Sequence, residues 1–265
     1  MRTLHLTLTL LLAFTASADL IVPQTYAPRI LIPVAGDTPG QNGTHFRSDI
    51  QIINFRNAAQ RVQLYWLPQG GSGSAIAPRN IDLGALSGLF SENFVANVMN
   101  QTGVGAIEIV GVTGEGVFDP NARLHATARI WTPQPDGEAG TMSQTFPAVI
   151  VTDDEPRTKA IHGLRRSTQY RLNVGIANPS NLTGRYRVTV RLVTSPTTHE
   201  TSIFDIELQP RSIAQRSVTL SADGIAQITI DELTAGGTTD YHAWASSVDN
   251  DSGDAWSQMA FPVIP

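Results

Sequence analysis

Three observations predict an all-β fold of two tandem antiparallel β-sandwiches. The segment FRSDIQIIN from Phe46 returns as YRLNVGIAN from Tyr170, an offset of 170 − 46 = 124 residues. The offset pairs Arg47 with Arg171, Asp49 with Asn173, Ile50 with Val174, Ile52 with Ile176 and Asn54 with Asn178. Each copy also carries roughly seven short runs of period-two alternation separated by turn formers, and neither carries a long amphipathic helix pattern. A repeat of over a hundred residues can bury its own core, so the duplication reads as two copies of one self-contained domain.

The first 18 residues read as a signal peptide. Arg2 supplies a positive start, Leu4 to Phe14 an apolar run broken only by His5, Thr7 and Thr9, and Ala16-Ser17-Ala18 a small-x-small cleavage site. The run is shorter than the roughly 18–20 apolar residues of a spanning helix, and no other stretch approaches that length. With no cysteine there is neither a disulfide nor a lipid-accepting thiol. A soluble periplasmic or extracellular product, cleaved after Ala18, is expected.

The first copy spans residues 19–152. Ile30 to Val34 reads as its first strand, followed by a loop rich in Gly, Pro, Asp and Asn from Gly36 to Thr44. Ser48, Ile50 and Ile52 alternate with Arg47, Asp49 and Gln51, and Val62, Leu64 and Trp66 with Arg61, Gln63 and Tyr65, which places Trp66 in the core. Further strands are expected at Asn80 to Leu83, Gly105 to Val110, Leu124 to Trp131 and Met142 to Val149. Leu86 to Met99 has room for a helical turn or two, whereas its counterpart Arg211 to Leu220 reads as strand. The charged, aperiodic stretch 153–159 is the expected linker, and 160–265 the second copy. Its LHATA counterpart is YHAWA from Tyr241, and the two copies end alike in SQTFPAV and SQMAFPV. This strand count fits immunoglobulin-like packing, with two small barrels as the alternative.

The tracts RSTQYRLNVGIANPS from Arg166, FPAVIVTDDEP from Phe146 and ASSVDNDSGDAW from Ala245 resemble a family of uncharacterised exported bacterial proteins built from tandem immunoglobulin-like repeats. The resemblance implies a fold and an address. It places no catalytic residue on this sequence.

Composition narrows the function classes. Charged residues make up 15% of the chain, against about 25% in average globular proteins, and the formal charge is −5, becoming −6 once Arg2 is removed (17 against 23). That balance argues against a nucleic-acid binder. Gly70-Gly71-Ser72-Gly73-Ser74 is a flexible loop rather than a nucleophile elbow, and His199-Glu200 lacks the second histidine of a zincin helix. No enzyme is expected. His125 and His242 recur at equivalent positions, which suggests a structural task.

Two sets of binding residues stand out. Arg185, Arg187 and Arg191 with Thr189 project from one face of their strand, and Arg171 from its neighbour; such a face suits carboxylate- or phosphate-bearing polymers. In the first copy the same positions carry Tyr65 and Leu67, a partly apolar face suited to protein contact. Asp249, Asp251 and Asp254 resemble calcium-loop chemistry, although the bidentate acid of a full loop is missing and the first copy offers only Asp136 and Glu138 there. A tight hairpin turn is the simpler account, and no cofactor is expected. These residues predict a non-catalytic exported interaction or structural module at the cell envelope, binding a protein or polymer partner. The alternatives are a glycan-binding protein stacking sugars on Trp131, Trp244 or Trp256, and a two-sandwich periplasmic chaperone, which rests on fold analogy alone.

Overall fold

The computed structural model describes residues 26–40, 43–134, 139–152, 156–234 and 240–263. The signal segment, Asp136, Glu138 and the acidic residues 153–155 lie outside them. The described chain is all-β, and every strand pairing is antiparallel apart from one isolated bridge, Gln69 with Ile213. No helix among the described residues is long and apolar enough to cross a membrane.

Residues 29–150 form nine strands: β1 (Arg29–Pro39), β2 (His45–Asn54), β3 (Gln60–Pro68), β4 (Arg79–Leu83), β5 (Gly88–Ser91), β6 (Gly103–Val112), β7 (Leu124–Pro133), β8 (Thr141–Pro147) and β9 (Val149–Ile150). A single π-helical turn, Val95–Met99, follows β5, in the stretch where a helical turn was expected. One layer runs β4-β3-β6-β1-β9 and the other β5-β2-β7-β8; β1 also meets β2 at Thr38–Phe46 and Pro39–His45, joining the layers. Residues 158–262 form nine more: β10 (Thr158–Arg166), β11 (Tyr170–Asn178), β12 (Gly184–Ser195), β13 (Thr198–Leu208), β14 (Ser212–Val218), β15 (Gly224–Glu232), β16 (His242–Asp249), β17 (Ala255–Met259) and β18 (Phe261–Pro262). Their layers run β13-β12-β15-β10-β18 and β14-β11-β16-β17. Strand for strand this is the order of the first half.

The sheets are open, not barrels. In an immunoglobulin constant domain with strands A to G, B lies between A and E, and F between C and G. Here β2 pairs with β5 and β3 with β6, matching B–E and C–F. The outer places are exchanged: β1 lies beside β6, and β7 beside β2.

Parity along each strand builds the cores. Val62, Leu64 and Trp66, flanked by Ile107 and Ile109 of their own layer, pack with Ile50 and Ile52 of the other inside the first half, and Trp66 is 2% exposed, as its alternation requires. Leu172, Val174, Ile176, Tyr186 and Val188 do the same in the second. A third apolar cluster joins the halves. Leu31, Leu67 and Ala106 on the outward face of β1, β3 and β6 pack against Ala177, Ile213 and Trp244 on the outward face of β11, β14 and β16.

Lys159 is not a linker residue. It lies in β10, 2% exposed, with its ammonium 2.6 Å from the Tyr241 carbonyl and 4.8 Å from the centre of the Tyr241 ring. A buried ammonium needs such partners, because desolvation alone would disfavour its charge.

Candidate functional site

Where the halves touch, polar groups lock them. Glu108 on β6, buried at 1% side-chain exposure, accepts from Arg29 Nε at 2.5 Å and from Arg211 of the second half. The Arg211 guanidinium also lies 4.1 Å over the Tyr65 ring. Arg211 holds a left-handed backbone (φ 53°), fixed by its N–H to the Ser180 carbonyl at 2.9 Å and by Gly73 N–H donating to its own carbonyl at 2.9 Å. A side chain at Gly73 would run into the Trp66 and Arg211 carbonyls, so the glycine-rich loop expected to be flexible is docked on the second half.

Toward the β11 N-terminal end the two halves splay apart. They leave a cleft of about 410 Å³ between β1 and β8 on one side and β11, β14, β16 and the 249–253 hairpin on the other. The volume lies within the usual range for small-ligand sites. Val34, Phe46, Ile130, Met142, Phe146, Trp244 and Val248 line it with apolar surface. Among the described residues its lining carries one ionisable side chain of each sign, Arg171 and Asp251.

The polar groups come from outward positions of β11 and β16, where strand alternation puts residues 171, 173, 246 and 248 on one face. Asn173 and Ser246 are direct cross-strand partners, 8% and 5% exposed. Asn173 Oδ1 accepts from Ser217 Oγ at 2.6 Å, and among the described residues neither its Nδ2 nor the Ser246 hydroxyl has a partner. Arg171 donates from Nη1 to Asn250 Oδ1 at 3.0 Å and forms no ion pair among the described residues. Gln144, whose Oε1 accepts from Ser257 at 2.8 Å, and the exposed Gln215 complete the rim.

The other residues singled out in the sequence lie elsewhere. Arg171 is not on a strand next to Arg185, Arg187 and Arg191, because β11 and β12 belong to opposite layers. Nor is their face an open cationic surface. Arg187 binds Asp205 through Nε and Nη2 at 2.9 and 3.2 Å, Arg185 lies 4.0 Å from Glu207, and Arg191 Nη2 lies 3.5 Å from His199 Nδ1. The Arg187 hydrogen bond, reinforced by its charge, holds the Asp205 carboxyl below its ordinary range. Leu67 is fully buried and Tyr65 lies under Arg211, so the apolar face expected to meet another protein is covered by the chain's own second half.

The 249–254 segment is a hairpin turn. Asp249 Oδ1 accepts from the N–H groups of Asp251 and Ser252 at 2.8 and 3.0 Å, and Asp254 Oδ1 from Ala255 N–H at 2.9 Å. Donation from Ser252 and then Asp251 holds the Asp249 carboxyl below its usual range. Among the described residues no three His, Cys, Asp or Glu side chains converge as a metal site.

Of the three tryptophans proposed as sugar platforms, Trp244 is 2% exposed and lies flat on β11, where any side chain at Gly175 would overlap its ring. Trp256 is 54% exposed; Trp131 lies half-buried with the guanidinia of Arg47 and Arg129 each 5.7 Å from it. His125 and His242 occupy the same register, opposite Ile53 and Ala177. His242 is buried at the join. Burial first, then the nearby Lys159 and Arg29 charges, push its pKa well below the ordinary histidine value.

Asn173 and Ser246 were missed in the sequence, yet a signal existed. The outward positions Asp49, Gln51 and Ile53 of the first half correspond to Asn173, Gly175 and Ala177 in the second, and Thr127 to Trp244. Loss of charge and bulk beside a gained tryptophan marks a covered face. The chain matches no known protein family, and comparison with curated proteins returns no relative.

Proposed function

We propose that this chain is an exported, non-catalytic binding module built from two tandem copies of one immunoglobulin-like sandwich, acting at the cell envelope, with the cleft between the copies as its ligand site. The sequence offset of 124 and the matching strand orders of the two halves support the duplication. The signal-like N-terminus supports export, and the motif resemblance to exported tandem-sandwich proteins rests on the sequence alone. The observation that carries the binding role is the cleft itself, apolar in its body and furnished, among the described residues, with unpaired hydrogen-bonding groups at Asn173 and Ser246 and an arginine without an ion pair.

The carboxylates held by strong partners lie away from the cleft. Asp82, Asp119, Glu200, Asp205 and Asp249 are all held below the ordinary carboxylate range, by arginine partners or backbone N–H groups. A general acid or base needs a pKa near the working pH, and none of these groups lines the cleft. Burial of Trp244 counts against sugar stacking at this site.

The test is retention of envelope material on immobilised residues 19–265, compared with Gln215→Trp. Gln215 is exposed at the rim, so the larger ring obstructs the cleft without entering a core. Loss of a saturable partner in the variant is expected. Unchanged retention would place the binding surface elsewhere.

A further inference from the structure

The cleft chemistry defines a class of ligand. Ion pairs neutralise Arg29, Arg56, Arg61, Arg187 and Arg211, whereas Arg171 faces the cleft and, among the described residues, leaves most of its guanidinium N–H groups unused. Such a group binds a planar anion through two parallel hydrogen bonds. Asp251 in the same lining repels a doubly charged group more than a singly charged one, which favours a carboxylate over a phosphate.

The body of the ligand must match the rest. An alkyl chain would satisfy Phe46, Ile130, Met142 and Phe146 but strand the Asn173 amide and the Ser246 hydroxyl out of water, at a cost for each. A sugar would bond those two groups but press its hydroxyls against the apolar wall. A polypeptide has both parts: alternating side chains for the wall, and backbone N–H and C=O groups for the amide and hydroxyl.

We propose that the cleft between the halves is a carboxylate-reading site for an apolar polypeptide segment, with Arg171 on the carboxylate, Asn173 and Ser246 on the backbone, and Phe46, Ile130 and Phe146 around a side chain. It rests on the cleft being the ligand site. The carboxylate is the segment's C-terminus: Arg171 and Asn173 lie two residues apart on one face of β11 with Ser246 opposite, so the anion and the backbone groups that bond them must be adjacent.

Residues 19–265 are titrated, by fluorescence anisotropy, with three dye-labelled pentapeptides of alternating valine and phenylalanine: a free C-terminal acid, its amide, and an amide with one internal glutamate. The free acid binds at least ten-fold tighter than the plain amide; tighter binding of the glutamate amide alone overturns the C-terminal source. Arg171→Gln, at an exposed position, erases that difference, the ten- to roughly hundred-fold effect of one charge-assisted hydrogen bond. Asn173→Ala and Ser246→Ala weaken acid and amide peptides alike. An acid-to-amide ratio that survives Arg171→Gln overturns the proposal, as does saturable binding of laurate or alginate without binding of any peptide. If no peptide binds but Gln215→Trp still releases the envelope partner, the ligand class falls and the cleft stands. If Gln215→Trp releases nothing either, both fall.

Discussion

Asn54 and Asn178, 124 residues apart and both fully buried, perform the same task in the two halves. Asn54 Nδ2 donates to the carbonyls of Ala58 and Gly84, both at 2.8 Å, while Oδ1 accepts from Arg56 N–H at 2.9 Å. Asn178 Nδ2 donates to Leu182 and Gln209 at 2.8 and 3.2 Å, and its Oδ1 accepts from Ser180 N–H at 3.1 Å. Each amide closes the end of its strand onto two later loops. Asn54→Ala and Asn178→Ala are therefore expected to destabilise by similar amounts, about 2–4 kcal/mol, since each strands buried backbone groups. Urea midpoints of the two variants check this; a difference of more than about 2 kcal/mol would break the equivalence.

Glu108 sits between arginines from both halves. Glu108→Gln keeps the shape but leaves Arg29 and Arg211 without their shared counter-charge, and the expected loss is about 2–4 kcal/mol. Replacing Glu108, Arg29 and Arg211 together by apolar residues of similar volume is expected to cost less than the single change. Thermal melts of both variants make the comparison.

Trp244 couples the halves rather than filling either core. Trp244→Ala is expected to cost about 3–5 kcal/mol of contact at the join and to split one calorimetric transition into two, because each half retains its own apolar cluster. A single undivided transition in the variant would contradict this.

The buried His242 sets an acid-side slope. Its folded pKa lies well below that of the unfolded chain, about 6.5, so the unfolded state takes up a proton that the folded state refuses. Stability is then full above pH 6.5 and falls below it, by up to about 1.4 kcal/mol per pH unit from this group. His242→Gln should be less sensitive than the parent chain between pH 6.5 and 5.5, read as a difference in urea midpoints.

The hairpin at Asp249 is expected to be indifferent to calcium. A site filled at a hundred times its Kd would add about 2.7 kcal/mol, so chelator would visibly lower the melting temperature. No shift is expected, and Asp251→Ala should stay within about 0.5 kcal/mol. A shift of several degrees in millimolar calcium, lost in Asp251→Ala, would reassign the turn.

Period-two alternation is a local signal, and it located most strands of the first half and the burial of Trp66, but not β5, which lies in a stretch read as a helical turn. It also put Tyr65 and Leu67 correctly on one outward face. What alternation cannot show is whether an outward face meets water or another sheet, which is why Leu67 read as exposed; Lys159 read as linker because the tract before it is charged and aperiodic. The arginines of β12 looked like an anion site because their partners Asp205 and Glu207 lie on a different strand, joined only by register. Arg171 was selected with them on the wrong neighbourhood, and its cleft exists only because two sheets diverge after touching.

The contact joining the halves is built mainly from the outward faces of β1, β3 and β6 and of β11, β14 and β16, with Gln144 and Phe146 of β8 adding to its edge, and most of the other two layers points away from it. On β2 and β7 the outward face carries Arg47, Asp49 and Arg129; on β12 and β13 it carries Arg185, Arg187, Asp205 and Glu207. A third sandwich stacking in the same way would bury those charges where Leu31, Leu67, Ile213 and Trp244 now meet. Among the described residues these two faces therefore resist a further contact of the same dry kind, even though Phe90 and Ile203 are exposed on them.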